Sequence, residues 1–188
     1  MKNYQPFIKE NSEYNQYWYS HHTVSTIVKE LELLEPVRVA CLSTPSVFFA
    51  AADAGMPCDL FEYDSEIERG TWTGKGLNRF VQYDFRSDEM DQCYQQAYDV
   101  VVVDPPFITP DVIRCYARHI LQLLMPDGKV IFSSIVENGD NLSAAFARDF
   151  RSVPFKPSIP SLVYQYELFV NYHPRADSEF RKSNPEVP

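Results

Sequence analysis

The stretch YDVVVVDPPFITPD, Tyr98–Asp111, decides the fold of this chain and raises the question of its function. Four consecutive valines predict a strand that is buried on both faces, as in parallel sheets covered by helices. An acid and two prolines follow the valines, and proline lacks an N–H group and has a fixed φ angle. The strand therefore ends in a stiff polar corner, at the edge of the sheet where parallel α/β folds bind ligands.

Strand-like and helix-like segments alternate along the rest of the chain. Apolar residues at helical spacing predict a helix that Ser20 caps and Pro36 ends. The predicted strands are Val37–Ser43, Cys58–Asp64, Arg79–Phe85, Tyr98–Asp104 and Gly128–Ser134, with further helices over Ser46–Gly55 and from Pro110 to the Pro-Asp-Gly that ends at Gly128. This alternation predicts an α/β fold with a parallel sheet and helices on both faces.

The C-terminal part has a different pattern. The aromatic-rich segment SLVYQYELFVNY, Ser161–Tyr172, predicts one long strand, and VPFKPSIP before it leaves no room for a crossover helix. We therefore expect an antiparallel strand at the end of the sheet. Residues 1–175 are predicted to form a single domain, and residues 176–188 a loose polar tail.

Composition limits the classes of function. The chain has 188 residues, of which 45% are hydrophobic and 14% aromatic, so it has enough apolar material for one core. Its net charge of −9 is a poor match to nucleic acid, which proteins bind through clustered positive charge, and favours a basic protein partner. We expect a monomer.

Metal, membrane and secretion signals are absent from the sequence. The four cysteines are scattered and form no CxxC pair, so no metal site is predicted. The N-terminus lacks the apolar core of a signal peptide, and no apolar run approaches the ~20 residues of a membrane span. We therefore expect a cytoplasmic protein with reduced thiols.

Polar residues follow each predicted strand at its carboxyl end. They are Ser43–Ser46, Glu62–Asp64, Asp84–Phe85 and Asp104–Phe107. An acid after the second strand suits a ribose diol, whereas the first turn lacks the glycines that cradle a pyrophosphate. The pattern favours a nucleoside cofactor without phosphates, such as S-adenosyl-L-methionine.

The corner after the valines can hold an amine. Because proline lacks an N–H, Asp-Pro-Pro leaves carbonyl oxygens free and fixes them beside the carboxylate of Asp104. Two fixed acceptors can orient an amine toward a methyl donor, and Phe107 would flank that amine. The alternative is a simple turn after a buried strand.

Asp-Pro-Pro-Phe resembles the [DN]-P-P-[FYW] motif of amino-group methyltransferases. YNQYWYSHHT, VACLSTPSVF, LFEYD, YDF, YDVVVVDPPF and YELFVNY follow the order seen in the elongation factor 1-alpha lysine methyltransferase family, formerly described as N6-adenine-specific DNA methyltransferases. The resemblance runs from about Tyr14 to Tyr172. It implies a Rossmann-like class I methyltransferase with a seven-stranded, mostly parallel sheet and an antiparallel C-terminal strand, which uses S-adenosyl-L-methionine.

The resemblance also implies roles for individual residues. Residues 1–20 would form a lid segment. The implied cofactor contacts are Gln16, Trp18, Ser20 and Thr23 for the methionine part, Ser43, Thr44 and Ser46 in the first turn, Glu62 for the ribose, Asp84 and Phe85 for adenine, and also Tyr63 and Asp104. The implied catalytic residues are Asp104, Pro105, Pro106 and Phe107. The segment Arg69–Phe80 departs from the family and has an open role.

Several alternatives remain at this point. Ser20 can be a helix cap alone, Asp84 can cap a turn, and Glu62 and Asp64 compete for the ribose because alternate strand residues share a face. The motif itself does not choose between a lysine amine and an adenine amino group. The acidic net charge favours a protein substrate, so the sequence predicts lysine methylation of elongation factor 1-alpha, with adenine-N6 methylation of DNA or RNA as the alternative.

Overall fold

The computed structural model describes residues 10–67, 78–87 and 90–188. In chain order its helices and strands are α1 (His21–Leu34), β1 (Val39–Leu42), α2 (Pro45–Asp53), β2 (Cys58–Glu62), β3 (Arg79–Gln82), β4 (Tyr98–Val103), α3 (Pro110–Leu123), β5 (Leu124–Ser134), α4 (Gly139–Phe146), β6 (Arg151–Ser152) and β7 (Glu167–Val170). Short 3-10 helices lie at Ser12–Tyr14, Gln92–Tyr94, Val136–Asn138 and Glu179–Arg181. The segment Arg69–Phe80 lies largely outside the described residues.

The described strands form one seven-stranded sheet in the order β3-β2-β1-β4-β5-β7-β6. Strands β1 to β5 are parallel, and β7 runs antiparallel to both β5 and β6. The predicted parallel sheet with an antiparallel C-terminal addition is thereby confirmed. Because the chain runs outward from β1 in one direction and from β4 in the other, a crevice opens where β1 and β4 end.

The valine run of β4 packs against helices on both faces. Val100 and Val102 belong to one apolar cluster with Ile27 of α1, and Val101 and Val103 belong to a second with Ile113 of α3. This division follows from the strand itself, since successive side chains point to opposite faces. Each fully buried valine contributes roughly 1.5–3 kcal/mol to folding. The strand that ends at the polar corner is therefore anchored from both sides.

All the predicted strands differ somewhat in their bounds from the structure, and two of them differ most. Strand β5 starts at Leu124, earlier than predicted, because Leu124 pairs with Tyr98 before the register shifts to the pairing of Val100 with Lys129. The predicted long C-terminal strand is wrong in extent, since β7 covers only Glu167–Val170. Glu167 pairs with Ser134, the last residue of β5, so earlier residues have no strand to pair with.

The C-terminal tail is packed, and the prediction that it is loose is wrong. Phe180 is fully buried and stacks on Phe155, with ring centroids 6.2 Å apart. Ser178 donates a hydrogen bond to the buried carboxylate of Glu30, and Asn184 donates to the Lys156 carbonyl over 2.7 Å. One aromatic anchor and a few satisfied polar groups are sufficient to dock a segment whose composition is otherwise polar.

Candidate active site

A cavity of about 330 Å³ lies where the central strands end, beneath residues 13–18 of the N-terminal segment. All four residues of the Asp104–Phe107 corner line it. Besides Asp104, seven more of the residues predicted to contact a cofactor line it: Gln16, Trp18, Ser43, Glu62, Tyr63, Asp84 and Phe85. Side chains distant in the sequence thus meet in one cavity, as the carboxyl ends of parallel strands require.

Asp104 begins the polar corner directly after β4. Its backbone N–H still donates to the Leu42 carbonyl over 3.2 Å, which continues the pairing with β1. The two prolines that follow cannot donate, so the regular ladder stops there. Phe107 is 48% exposed at the mouth of the cavity. The Asp104–Phe107 corner therefore presents a carboxyl group and an aromatic ring to a ligand in the cavity.

The carboxyl group of Asp104 has an unusual environment. Its burial raises the pKa to about 7, although the nearby hydroxyls of Tyr19 and Ser133 lower the pKa in part. Burial disfavours a carboxylate because the charged form loses its hydration. Around neutral pH this group therefore exists as a mixture of the acid and the carboxylate, and it accepts a proton more readily than an ordinary aspartate.

Glu62 closes β2 and has one carboxylate oxygen committed to the backbone. Its Oε1 atom accepts the N–H groups of Tyr63 over 2.8 Å and Asp64 over 3.0 Å. Burial nevertheless raises its pKa to about 7. Among the described residues no hydrogen bond to Oε2 is found, so this oxygen can accept a hydroxyl group from a ligand.

Asp64 is engaged elsewhere and does not line the cavity. Its Oδ2 atom accepts the side-chain amide of Gln16 over 3.0 Å, and its Oδ1 atom accepts the N–H of Glu66 over 3.0 Å. Of the two acids that compete for a ribose, the structure thus places Glu62 in the cavity wall and Asp64 beneath the N-terminal segment.

An aromatic slot forms at the end of β3. Phe85 stacks on Tyr116 with ring centroids 5.6 Å apart and an interplanar angle of 24°. The guanidinium of Arg86 lies 5.7 Å from the ring centroids of both Tyr63 and Phe85. A planar heterocycle fits beside such flat, polarisable groups.

Asp84 has a structural partner in this slot. Its carboxylate accepts from Nε of Arg86 over 2.9 Å and from the other guanidinium nitrogen over 3.0 Å, and this pairing lowers its pKa. It also accepts the backbone N–H of Arg86 over 3.0 Å. Asp84 therefore caps a turn, which is the alternative role that the sequence analysis gave it. Contact of Asp84 and Phe85 with adenine stays a prediction, which their position in the cavity wall permits.

The turn between β1 and α2 is built without glycine. Ser43 adopts a positive φ of 53°, a left-handed conformation that costs a non-glycine residue about 1–2 kcal/mol. Its hydroxyl pairs with that of Tyr116 over 2.8 Å, which ties the turn to the aromatic slot. Backbone strain of this kind persists where the surrounding contacts determine it, and it is often found at functional sites.

Four predicted cofactor contacts lie outside the cavity wall. Ser20 caps α1 by accepting the Thr23 N–H over 3.1 Å, and Thr23 in turn accepts the Ser158 N–H over 2.9 Å. Thr44 donates to the Val102 carbonyl over 3.4 Å, and Ser46 is buried. These contacts are structural, and direct contact of the four residues with a cofactor stays a prediction.

Several cavity residues were missed by the sequence analysis. Arg86 and Tyr116 line the cavity, and the hydroxyls of Tyr19 and Ser133 lower the pKa of Asp104, but none of the four was predicted to act there. Ser133 had a usable signal, because it is the residue before the last in β5, the strand next to β4. The others had none, since their positions depend on how a turn and a helix pack rather than on a motif.

The described residues also bear on metals and membranes. No group of three or more His, Cys, Asp or Glu side chains that could hold a metal ion is found within residues 10–67, 78–87 and 90–188. Cys41 and Cys58 are buried free thiols, and burial raises the pKa of each. In the same ranges, no helix has the length and apolar character needed to span a bilayer.

Known proteins resemble this chain in sequence. A cattle protein named EEF1A lysine methyltransferase 1 is 28% identical over 178 residues, which is 90% of this chain and 74% of the cattle protein. A Dictyostelium discoideum protein named as a protein-lysine N-methyltransferase is 25% identical over 171 residues, 88% of this chain and 79% of its own length.

Solved structures share the architecture. A candidate RNA methyltransferase from Pyrococcus horikoshii superposes with a TM-score of 0.64 at 14% identity, covering 88% of this chain and 90% of that one. A Burkholderia thailandensis 1,6-didemethyltoxoflavin-N1-methyltransferase, solved with S-adenosylhomocysteine, gives a TM-score of 0.56 at 15% identity over 80% of this chain and 76% of that one. At this identity the likeness establishes the fold alone.

A family model decides the assignment. The model described as Probable N6-adenine methyltransferase matches residues 10–174, which include the sheet, the Asp104–Phe107 corner and most of the N-terminal segment over the cavity. The resemblance noted in the sequence is thereby confirmed. The chain belongs to this family, and it is a methyltransferase with the class I Rossmann-like fold.

Proposed function

We propose that this protein transfers a methyl group from S-adenosyl-L-methionine to a lysine side chain of translation elongation factor 1-alpha. The observation that carries the proposal is the Asp104 corner, where a buried carboxyl group and two prolines line the same cavity as Glu62. Relatives from cattle, human and zebrafish support the substrate, because all three are named EEF1A lysine methyltransferase 1.

The residues of the cavity fit S-adenosyl-L-methionine. The free Oε2 atom of Glu62 can accept from a ribose hydroxyl, and the slot formed by Phe85 and Arg86 can take a flat base. The indole N–H of Trp18 is buried without a partner among the described residues, so it can donate to a ligand. When bound, this cofactor supplies a methyl group on a sulfonium.

The corner can orient and deprotonate an amine. A free lysine side chain has a pKa of about 10.4, so the amine arrives protonated and must lose a proton before its lone pair can attack a methyl carbon. Asp104 can accept that proton because burial raises its own pKa to about 7. Aromatic surroundings such as Phe107 and Tyr166 lower the pKa of an entering ammonium by desolvation.

Adenine-N6 methylation is the second candidate, and the family description favours it. The electrostatics of the cavity oppose it. Within residues 10–67, 78–87 and 90–188, Arg86 is the only Lys or Arg that lines the cavity, and Asp84 already pairs with it. The lining also includes Glu13, Glu62 and Asp104, so a phosphate backbone at the mouth would meet acids rather than clustered cations.

A labelling experiment tests the proposal. The purified protein is incubated with methyl-labelled S-adenosyl-L-methionine and, in parallel, with unmethylated elongation factor 1-alpha, DNA and RNA. Asp104→Ala is the inactive control, and Asp140→Ala removes a surface acid of α4 as a matched control. We expect label in the protein substrate with wild type and Asp140→Ala but not with Asp104→Ala. Wild type that leaves the protein substrate unlabelled overturns the lysine assignment.

A further inference from the structure

The connection between β6 and β7 is long for a hairpin. The two strands pair antiparallel, yet residues 153–166 separate them, whereas hairpin loops commonly have about 2–5 residues. The structure describes the whole of this β6–β7 loop, and it contains no helix or strand. Loops of this length without regular structure are usually functional when they are ordered. The length therefore indicates a role beyond a simple reversal of the chain.

The β6–β7 loop forms part of the active-site wall. Its side chains Ile159, Leu162 and Tyr166 line the cavity, and the Leu162 N–H donates to the Ile159 carbonyl over 3.0 Å to close a turn. The next two residues, Val163 and Tyr164, are 91% and 66% exposed. The loop thus places an exposed tip of two large apolar side chains, Val163 and Tyr164, directly after a residue of the cavity wall.

Hydrogen bonds and burial hold the β6–β7 loop in place. The Ser158 N–H donates to the hydroxyl of Thr23 in α1 over 2.9 Å. The side-chain amide of Gln165 donates to the Pro157 carbonyl over 3.1 Å, which joins the two sides of the loop. Phe155, near the start of the loop, is buried. A loop that is already ordered loses less conformational entropy when its tip binds a partner.

We propose that the exposed tip docks an apolar segment of the protein substrate that flanks the acceptor lysine. This inference rests on the proposed lysine methylation. A lysine side chain has a stem of only four carbons, so a lysine that enters the cavity toward Asp104 brings its own backbone to the cavity mouth. The residues next to that lysine then contact the rim, where Leu162 leads into the tip. Burial of Val163 and Tyr164 against them removes apolar surface from water.

The charge of the loop favours a polypeptide over a nucleic acid as the occupant. Residues 157–166 contain no charged side chain, and Lys156 before them pairs with Glu167 over 3.2 Å. The phosphates of a nucleic acid would therefore gain no unpaired cation from this stretch. Exposed apolar side chains mark protein interaction sites, and tyrosine is enriched among the residues that contribute most to binding.

The experiment compares Val163→Ser, Tyr164→Ser and the double variant with wild type. Steady-state kinetics with elongation factor 1-alpha give kcat and KM separately, and calorimetry gives the Kd for S-adenosylhomocysteine, which reports an intact cavity. Labelling of DNA and RNA by wild type is measured in parallel. Val37→Ser is the matched control, because Val37 is 78% exposed just before β1, at the end of that strand opposite the cavity.

We expect the double variant to raise the KM for elongation factor 1-alpha about tenfold, with kcat and the Kd for S-adenosylhomocysteine changed less than about twofold. Val37→Ser should match wild type in all three quantities. An unchanged KM in the double variant, an equal rise in Val37→Ser, or a loss confined to kcat overturns the docking role while lysine methylation stands. A wild-type enzyme that labels only nucleic acid overturns the proposed function itself and the docking role with it.

Discussion

The side-chain amide of Gln16 donates to Asp64 over 3.0 Å, and this bond ties the N-terminal segment to the strand end that carries Glu62. Tyr14 adds an edge-to-face contact with Tyr63, with ring centroids 5.6 Å apart. A segment that precedes the first helix thereby becomes one wall of the cavity. A cofactor bound in the cavity would lie between this segment and the sheet.

Removal of the Gln16 bond should weaken cofactor binding. Loss of one such hydrogen bond costs about 1 kcal/mol, so Gln16→Ala should raise the Kd for S-adenosylhomocysteine about fivefold. Gln16→Glu has nearly the same shape but places a carboxylate opposite Asp64, so its effect should be larger. Calorimetric titration of wild type and both variants with S-adenosylhomocysteine checks the expected order of the Kd values, in which wild type is lowest and Gln16→Glu is highest. Equal affinities in wild type and Gln16→Glu would contradict the prediction.

The activity should rise with pH through neutrality. Burial raises the pKa of Asp104 to about 7, and only the ionised group can accept the proton of a lysine amine. We therefore expect kcat/KM to increase from pH 6 to pH 8 with an apparent pKa near 7. The pKa of Glu62 is also about 7, so Glu62→Gln serves as the control. The rise of kcat/KM with pH that Asp104 causes should persist in that variant. A profile that is flat between pH 6 and pH 8 would be inconsistent with this role.

The same carboxyl group should lower stability. The pKa of Asp104 is higher in the folded state than in the unfolded state, so ionisation of this group favours unfolding. The resulting loss of folding free energy is absent below the unfolded pKa of about 4 and fully present above the folded pKa of about 7. Asp104→Asn should therefore stabilise the protein at pH 8 by on the order of 2–4 kcal/mol and have little effect at pH 4. Denaturant unfolding at both pH values measures the difference. A variant less stable than wild type at pH 8 would refute the argument.

The packed tail should contribute to folding. Phe180 is fully buried against Phe155, and truncation of a buried phenylalanine costs about 3–5 kcal/mol. Phe180→Ala should lower the free energy of unfolding by that amount. Lys182→Ala is the control in the same segment, because Lys182 is exposed in a surface pair with Glu179 that is worth less than about 1 kcal/mol. Thermal unfolding with similar Tm values for the two variants would show that the tail does not hold the fold.

Local patterns in the sequence determined the parallel sheet, the buried strand β4 and the position of Asp104 at its end. The reason is that alternation along a strand, proline geometry and helix caps act over a few residues, and each can be seen in the chain itself. Glu62 could be found in the same way, since a polar residue at the carboxyl end of a parallel strand lies at the ligand edge of the sheet.

Tertiary structure alone decided the other features of the site. Asn15 meets Pro106 across 91 positions of sequence, and Phe180 packs on Phe155 although its neighbours are polar. Arg86 lies over two rings because a turn closed by Asp84 directs it there. Such contacts depend on the packing of segments distant in the chain, so no local pattern encodes them. The pKa values of Asp104 and Glu62 belong to this second group, since the dominant cause of each shift is burial, which exists only in the folded protein.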